Sequence, residues 1–203
     1  MNGNLASFDT WETELSNGKN DKARKKALET LILEDKMGYM ALLRNLNNLI
    51  KYDVNAKTVK AAIKKLTDKR EVARSKQLPF RFVTAFENVK GNREFSDAIS
   101  EAMDIAVSNT PELPGKTLIA VDSSGSMLSG GKDAAMKKAS IFAATLLKAN
   151  KNADVILYDT AVRELSISGR APVIDLAQKI EGAATGGGTE TSLVFTYAMH
   201  RGS

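Results

Sequence analysis

The segment Thr110-Pro-Glu-Leu-Pro-Gly115 constrains this chain more than any other stretch. Proline lacks a backbone N–H and glycine favours turns, so such a run cannot continue a helix or sit inside a sheet. The chain must break there, and the patterns on its two sides differ. Before the break, apolar residues recur at helical spacing; after it, short apolar runs alternate with helical stripes. The expected organisation is a helical segment over 1–112 followed by an α/β segment over 115–203.

In the first segment, Asp9 or Thr10 can cap a short helix through Trp11 and Leu15 that Asn17-Gly18 ends. A second helix is expected over 21–33, with Ala27, Leu28, Leu31 and Ile32 on one side. Over 36–51, Met40, Leu43, Leu46, Leu49 and Ile50 fall at helical spacing. Val59, Ala62, Ile63 and Leu66 form another stripe, flanked by Lys57, Lys60, Lys64 and Lys65. Pro79 is suited to a first helical turn and would start a helix carrying Phe80, Phe82, Val83 and Phe86. These three phenylalanines read as core rather than as base-stacking platforms. Arg93–Val107 supplies a further helix, and such a succession suggests a helical-repeat array.

The second segment opens on Thr117-Leu-Ile-Ala-Val121, an apolar strand suited to the middle of a parallel sheet. A long helix over 132–148 is expected to turn Ala135, Ala139, Phe142, Ala143 and Leu146 inward. Asp154–Tyr158 reads as a second buried strand and Val162–Ile167 as a third, at an edge. Helices over 171–181 and from near Glu190 complete an alternation typical of a doubly wound α/β domain.

Between the first strand and its helix lies Val121-Asp-Ser-Ser-Gly-Ser-Met127, at the carboxyl end of a strand, where ligands collect in such sheets. Mg²⁺ and Mn²⁺ favour carboxylate, hydroxyl and water oxygens. Asp122 supplies charge, Ser124 and Ser126 can aim hydroxyls at one point, and Gly125 permits a tight turn. The flexible Thr185-Gly-Gly-Gly-Thr189 can bring another hydroxyl close. No histidine supports the site, which argues against zinc. A bland alternative has Asp122 capping the next helix.

Charge is unevenly distributed. The 203 residues carry 29 Lys and Arg against 24 Asp and Glu, a net +5. Residues 36–93 hold nine Lys and five Arg against four acids, an excess of ten. Such a block is the footprint of a polyanion-binding surface, or equally of solvated helix faces. Lys60, Lys64, Arg70, Arg74, Lys76 and Arg81 fall in two neighbouring segments and suit phosphate contacts. Arg44 and Asn45 lie on a polar edge of their expected helix, Arg44 serving either RNA or an ion pair between repeats. The chain has no cysteine, which excludes disulfides and thiolate chemistry. With no secretory pattern at 1–20 and no membrane-length apolar run, a cytoplasmic protein without membrane contact is expected.

VDSSGSM after an apolar strand resembles the metal-ion-dependent adhesion site of von Willebrand factor A domains, and GGGTET resembles their threonine loop. That resemblance implies Asp122, Ser124, Ser126 and Thr189 as ligands of Mg²⁺ or Mn²⁺, with Thr191 second choice to Thr189. The family's third element is a later aspartate that this sequence does not reach, which implies a weak site. Asp159 ends a strand but precedes the threonine loop and so is out of order. FDTWETELSNG, MGYMALLRNLNNL at 37–49 and LPFRFVTAF at 78–86 are similar to the TROVE module of the Ro autoantigen family. In that family a ring of HEAT-like helical repeats precedes an A-type domain. The fold implied is therefore α followed by α/β: a helical-repeat segment, then a partial doubly wound A-type domain. Family members bind small non-coding RNAs on the outer ring and the ends of misfolded RNAs at its hole. They also carry more repeats before, and more of the A domain after, a segment like this one. A compact relative, a split protein completed by a second chain or by self-assembly, and a fragment are the alternatives.

Three function classes follow. The first is a non-enzymatic RNA-binding protein with a metal-assisted partner site. The second is a protein-interaction or assembly module whose metal receives an acidic ligand. Enzymatic turnover is not expected: His200 stands alone, one carboxylate is too few for a metal nuclease, and Gly186-Gly-Gly188 lacks the lysine of a phosphate loop.

Overall fold

The computed structural model describes residues 20–131 and 134–202. The helix expected through Trp11 and Leu15 lies outside the described residues. The chain forms two compact units. One takes in the described residues up to Ser75 together with Thr84–Ile99, the other Lys76–Val83 and the described residues from Ser100 onward.

The first unit begins with α1, Asp21–Leu33, whose end is capped by Asn20 accepting the Ala23 N–H at 2.9 Å. Asp35 then takes a left-handed φ of +55°, turning the chain so that the Lys36 and Met37 amides close on the Leu31 carbonyl. That turn is why α2 spans Tyr39–Lys51 rather than starting at 36. It buries Tyr39, Leu42, Leu43, Leu46 and Leu49 along one stripe. Asn45 is also buried, donating to the Ala41 carbonyl at 2.9 Å, which corrects its assignment to a polar edge. In α3, Ala56–Leu66, Asn55 caps Thr58 while its own N–H reaches Glu29 at 2.9 Å. The short α4, Lys69–Ser75, was not expected; Asp68 caps it through the Arg70 and Glu71 amides. Each of α1 to α3 packs on the next helix, and α1 and α2 also on the next but one. The Tyr39 hydroxyl donates to the last carbonyl of α3, at Leu66, across 2.8 Å. α5, Val83–Val89, and α6, Arg93–Ala106, follow, and Phe95 and Ile99 of α6 are buried.

The second unit contains the 3-10 turn Pro79–Phe82, where a regular helix was expected from Pro79. Among the described residues its sheet has three strands, β1 (Thr117–Asp122), β2 (Ala153–Tyr158) and β3 (Val162–Leu165), in that spatial order. β1 runs parallel to β2 with Ile119 beside Val155 and Asp122 beside Tyr158; β3 runs antiparallel to β2. The sheet is thus mixed, and β1 stands at an edge of the described strands rather than in the middle. Ala120 is accordingly exposed, whereas Val155, Ile156 and Leu157 of β2 are buried. The short helix α7, Gly125–Leu128, follows β1, and α8, Ala135–Ala149, packs on β1 and β2.

The buried stripe of α8 is Met136, Ser140, Ile141, Ala143, Ala144 and Leu147. Of the residues expected inward, Ala135 and Phe142 are exposed. Phe142 instead stacks on Phe80 with ring centroids 4.6 Å apart, so Phe80 is only half-buried while Phe82 is fully enclosed. α9, Val173–Gly182, lies against α8, and its first amide donates to Asp104 at 2.9 Å. α10, Ser192–Gly202, is tied to the sheet by Arg201 to Asp154 and Glu164, both at 2.9 Å. No described helix is long and apolar enough to cross a membrane.

Candidate functional site

β1 delivers Asp122 to the point where the strand ends. Its Oδ1 accepts the Ser124 N–H at 2.8 Å, closing a turn that starts α7. The residue at the N-cap of α7 is Ser124, and no side chain caps that helix, so Asp122 shapes the turn before the helix rather than capping it. Ser124 is 2% exposed, and its Oγ stands 3.2 Å from the Ser126 Oγ. The sequence-predicted carboxylate and two hydroxyls thus share one short turn. Ser126 lies at the surface and Asp122 is half-buried, so the group is reachable from solvent.

The glycine loop lies directly against this turn. The Gly125 amide donates to the Gly187 carbonyl at 2.8 Å, and the Gly186 amide to the Ser123 carbonyl at 3.0 Å. Gly125 eases this approach: a methyl group there would lie 3.1 Å from the Gly186 carbonyl oxygen, a tight contact that the loop would have to yield to. Gly186 sits at a φ of +78°, a conformation that L side chains rarely adopt. Thr189 follows two residues after Gly187, and its side chain is exposed. Gly186 and Gly187 are thereby brought to the DxSxS turn, whereas no hydrogen bond joins the Thr189 side chain to Asp122, Ser124 or Ser126 among the described residues.

A buried carboxylate organises the surroundings. Asp159, just past β2, is 1% exposed and accepts from Arg163 Nη2, from the Thr185 hydroxyl and, at 3.4 Å, from the Ser123 hydroxyl. Its other oxygen accepts the Ala161 amide at 3.1 Å, and its carbonyl accepts the Glu190 amide at 2.8 Å. The Arg163 guanidinium, then the Thr185 hydroxyl, hold the Asp159 carboxyl far below the usual carboxylate range. Sequence reasoning missed Arg163 and Thr185. Thr185 and Asp159 are 26 positions apart, and no local pattern joins them.

Chemically, the turn offers one carboxylate and hydroxyl oxygens, the donor class of a hard divalent cation. Among the described residues there is no cluster of three His, Asp or Glu side chains. A cation here would rest on Asp122, with Ser124, Ser126 and the Thr189 loop as neutral donors.

The predicted RNA-contacting residues divide between the units. Arg44 on α2, Lys60 and Lys64 on α3, and Arg70 and Arg74 on α4 belong to the first, Lys76 and Arg81 to the second. All seven are exposed. Lys60/Lys64 and Arg70/Arg74 are each four residues apart, so each pair occupies one helix face. Arg74 pairs with Glu71 at 2.9 Å, whereas Arg44, Lys60, Lys64 and Arg70 make no ion pair among the described residues. Asp68 lies between the two pairs: the Glu71 and Arg70 amides, with the charges of Arg70 and Lys64, hold it below its ordinary value. In the second unit the Arg81 guanidinium lies over the Phe80 ring, 5.1 Å from its centroid.

Residues 3–94 match the TROVE domain family. Over 81 residues the chain is 36% identical to telomerase protein component 1 of Mus musculus and 37% identical to that of Rattus norvegicus. Each alignment takes in 40% of this chain and 3% of the relative, so the chain spans only a small part of these curated relatives. The fold is similar to that of the Ro (RSR) protein of Deinococcus radiodurans, with a TM-score of 0.64 at 21% identity. That similarity covers 94% of this chain and 46% of the other.

Proposed function

We propose that this chain is a non-enzymatic RNA-binding protein of the Ro type, a reading supported by the match of residues 3–94 to the TROVE domain family and by the likeness of its fold to that of the Ro (RSR) protein. The ligand of this chain is a small or misfolded non-coding RNA, held by its phosphates along the exposed faces of α3 and α4. The observation that carries this reading is the exposure of Lys60, Lys64 and Arg70 on consecutive helices of the TROVE-matched segment, with Asp68 offsetting only part of the charge of Lys64 and Arg70. Exposed cations can displace the counterions of a polyanion. Asp122, Ser124, Ser126 and Thr189 add a Mg²⁺ or Mn²⁺ adhesion site within an A-type fold. The low count of carboxylates makes that site a weak one.

The test is titration of a labelled structured RNA with a single-stranded end, read by fluorescence anisotropy near physiological salt. Changing Lys60, Lys64 and Arg70 together to Glu is expected to weaken binding by roughly tenfold or more. Unchanged affinity in a folded triple variant would end the proposal.

A second reading, a protein-interaction module, is favoured by Asp122 being the one carboxylate in the DxSxS turn. A divalent ion held by one carboxylate and hydroxyls retains positions for an acidic group from a partner. On that reading Asp122→Ala abolishes a protein contact, and the charge reversals on α3 and α4 leave it intact.

A further inference from the structure

We propose that Asp159, Arg163 and Thr185 form a latch that fixes the glycine loop against the DxSxS turn and thereby positions Thr189 for the cation. In its last step this rests on the metal-site reading above; the loop-fixing itself does not.

Three chain segments far apart in sequence converge on one carboxyl group. Ser123 comes from the turn after β1, Arg163 from β3, and Thr185 from the segment after α9. Arg163, Thr185 and, at 3.4 Å, Ser123 meet one oxygen of Asp159, and the Ala161 amide meets the other. Both oxygens of the carboxyl group are thus engaged by donors of the chain itself. The Asp159 backbone carbonyl extends the same role by accepting the Glu190 amide, the residue after Thr189. The glycine loop is thus gripped at both ends, at Thr185 by the side chain and at Glu190 by the main chain.

The middle of the loop is fitted to the same group. A methyl group at Gly187 would lie 3.0 Å from Asp159 Cγ, and one at Gly188 3.2 Å from the Thr160 methyl. Arg163 Nη2 donates to the Ser123 hydroxyl at 3.1 Å as well as to Asp159, which ties the turn after β1 to the carboxyl group that holds Thr185. The Arg163 Nε is buried with no partner among the described residues.

The experiment uses the full chain and three substitutions: Thr185→Val, which keeps the shape and removes the hydroxyl, Thr185→Ser, which restores it, and Asp122→Ala. Amide hydrogen exchange at Gly125, Gly186 and Glu190 reads the loops directly, and Mn²⁺ titration reads the site. Thr185→Val is expected to speed exchange at those three amides without changing it at Ile156, and to weaken Mn²⁺ by roughly tenfold, as loss of an outer-shell partner does. Thr185→Ser should recover both. Wild-type exchange rates in Thr185→Val overturn the latch. Faster exchange with Mn²⁺ affinity unchanged, in a chain whose Mn²⁺ binding needs Asp122, overturns its positioning role. Faster exchange in Thr185→Val, alongside a wild type that binds no Mn²⁺, upholds the loop-fixing and removes the metal-site reading instead.

Discussion

Gly169 offers the sharpest test of packing in the second unit. A Cβ at that position would lie 2.8 Å from the Leu147 carbonyl oxygen and 3.2 Å from Lys148 Cα. The first distance is roughly half an ångström inside the 3.4 Å at which ordinary contact begins. Both obstacles are backbone atoms of α8. They cannot swing aside as a flexible side chain would, because Leu147 is buried and Lys148 is bonded to the Ala171 carbonyl at 2.7 Å. Relief must come from shifting α8 or the 169–172 segment. Overpacking of this kind costs about 1–3 kcal/mol. Gly91 is the control: nothing lies within 4 Å of its would-be Cβ, and its φ is not in the left-handed region. Gly91→Ala should stabilise by about 0.4–1 kcal/mol, through a less mobile unfolded chain. Urea denaturation followed by far-ultraviolet circular dichroism measures both. A Gly169→Ala midpoint equal to or above wild type would refute the reasoning, since it would mean that the Leu147 carbonyl is not fixed.

Other outcomes follow from the same geometry. Tyr39→Phe removes the donor to the buried Leu66 carbonyl and is expected to cost about 1–3 kcal/mol in chemical denaturation, with no change in RNA affinity. If Lys60 and Lys64 meet phosphates, changing both to Gln should lower the slope of log affinity against log salt by about 1.4 for a single-stranded RNA; an unchanged slope places the RNA elsewhere. Asp159 has its folded pKa depressed, chiefly by Arg163, so its contribution is fully present above the unfolded value of about 3.9 and fades as pH falls toward the folded one. Acid unfolding of Asp159→Asn, compared with wild type, should therefore be less steep below about pH 4, and parallel curves would contradict the ion-pair assignment.

Much of this was legible in the sequence, for reasons that can be named. α1 to α3 and α6 carry apolar residues at helical period over eleven or more positions, long enough for the pattern to stand out. The DxSxS turn was legible because its chemistry is compressed into five consecutive residues. α4 was not: seven residues with Val72 alone buried give no period. The cap at Asp68, three residues before Glu71, was the signal available. The inward face of α8 was misjudged because alanines and leucines surround it, and the stacking of Phe142 on Phe80 turns it by about one residue. Asn45 reads as polar, yet its amide is satisfied within its own helix and by Asn48, which allows burial. The ring of contacts around Asp159 joins segments up to 36 residues apart, and pairing at that separation is fixed by the tertiary fold.

The place of β1 at the margin of the described sheet carries a consequence for the chain in solution. A parallel strand bonds to its one neighbour through alternate residues, so the intervening N–H and C=O groups of Thr117–Asp122 point the other way. Those groups have water as their counterpart, or whatever main chain comes to lie alongside. The strand carries no proline, no bulge and no charged residue before Asp122 to discourage such a neighbour. Solvent exchange along it should therefore alternate, fast then slow, with a period of two.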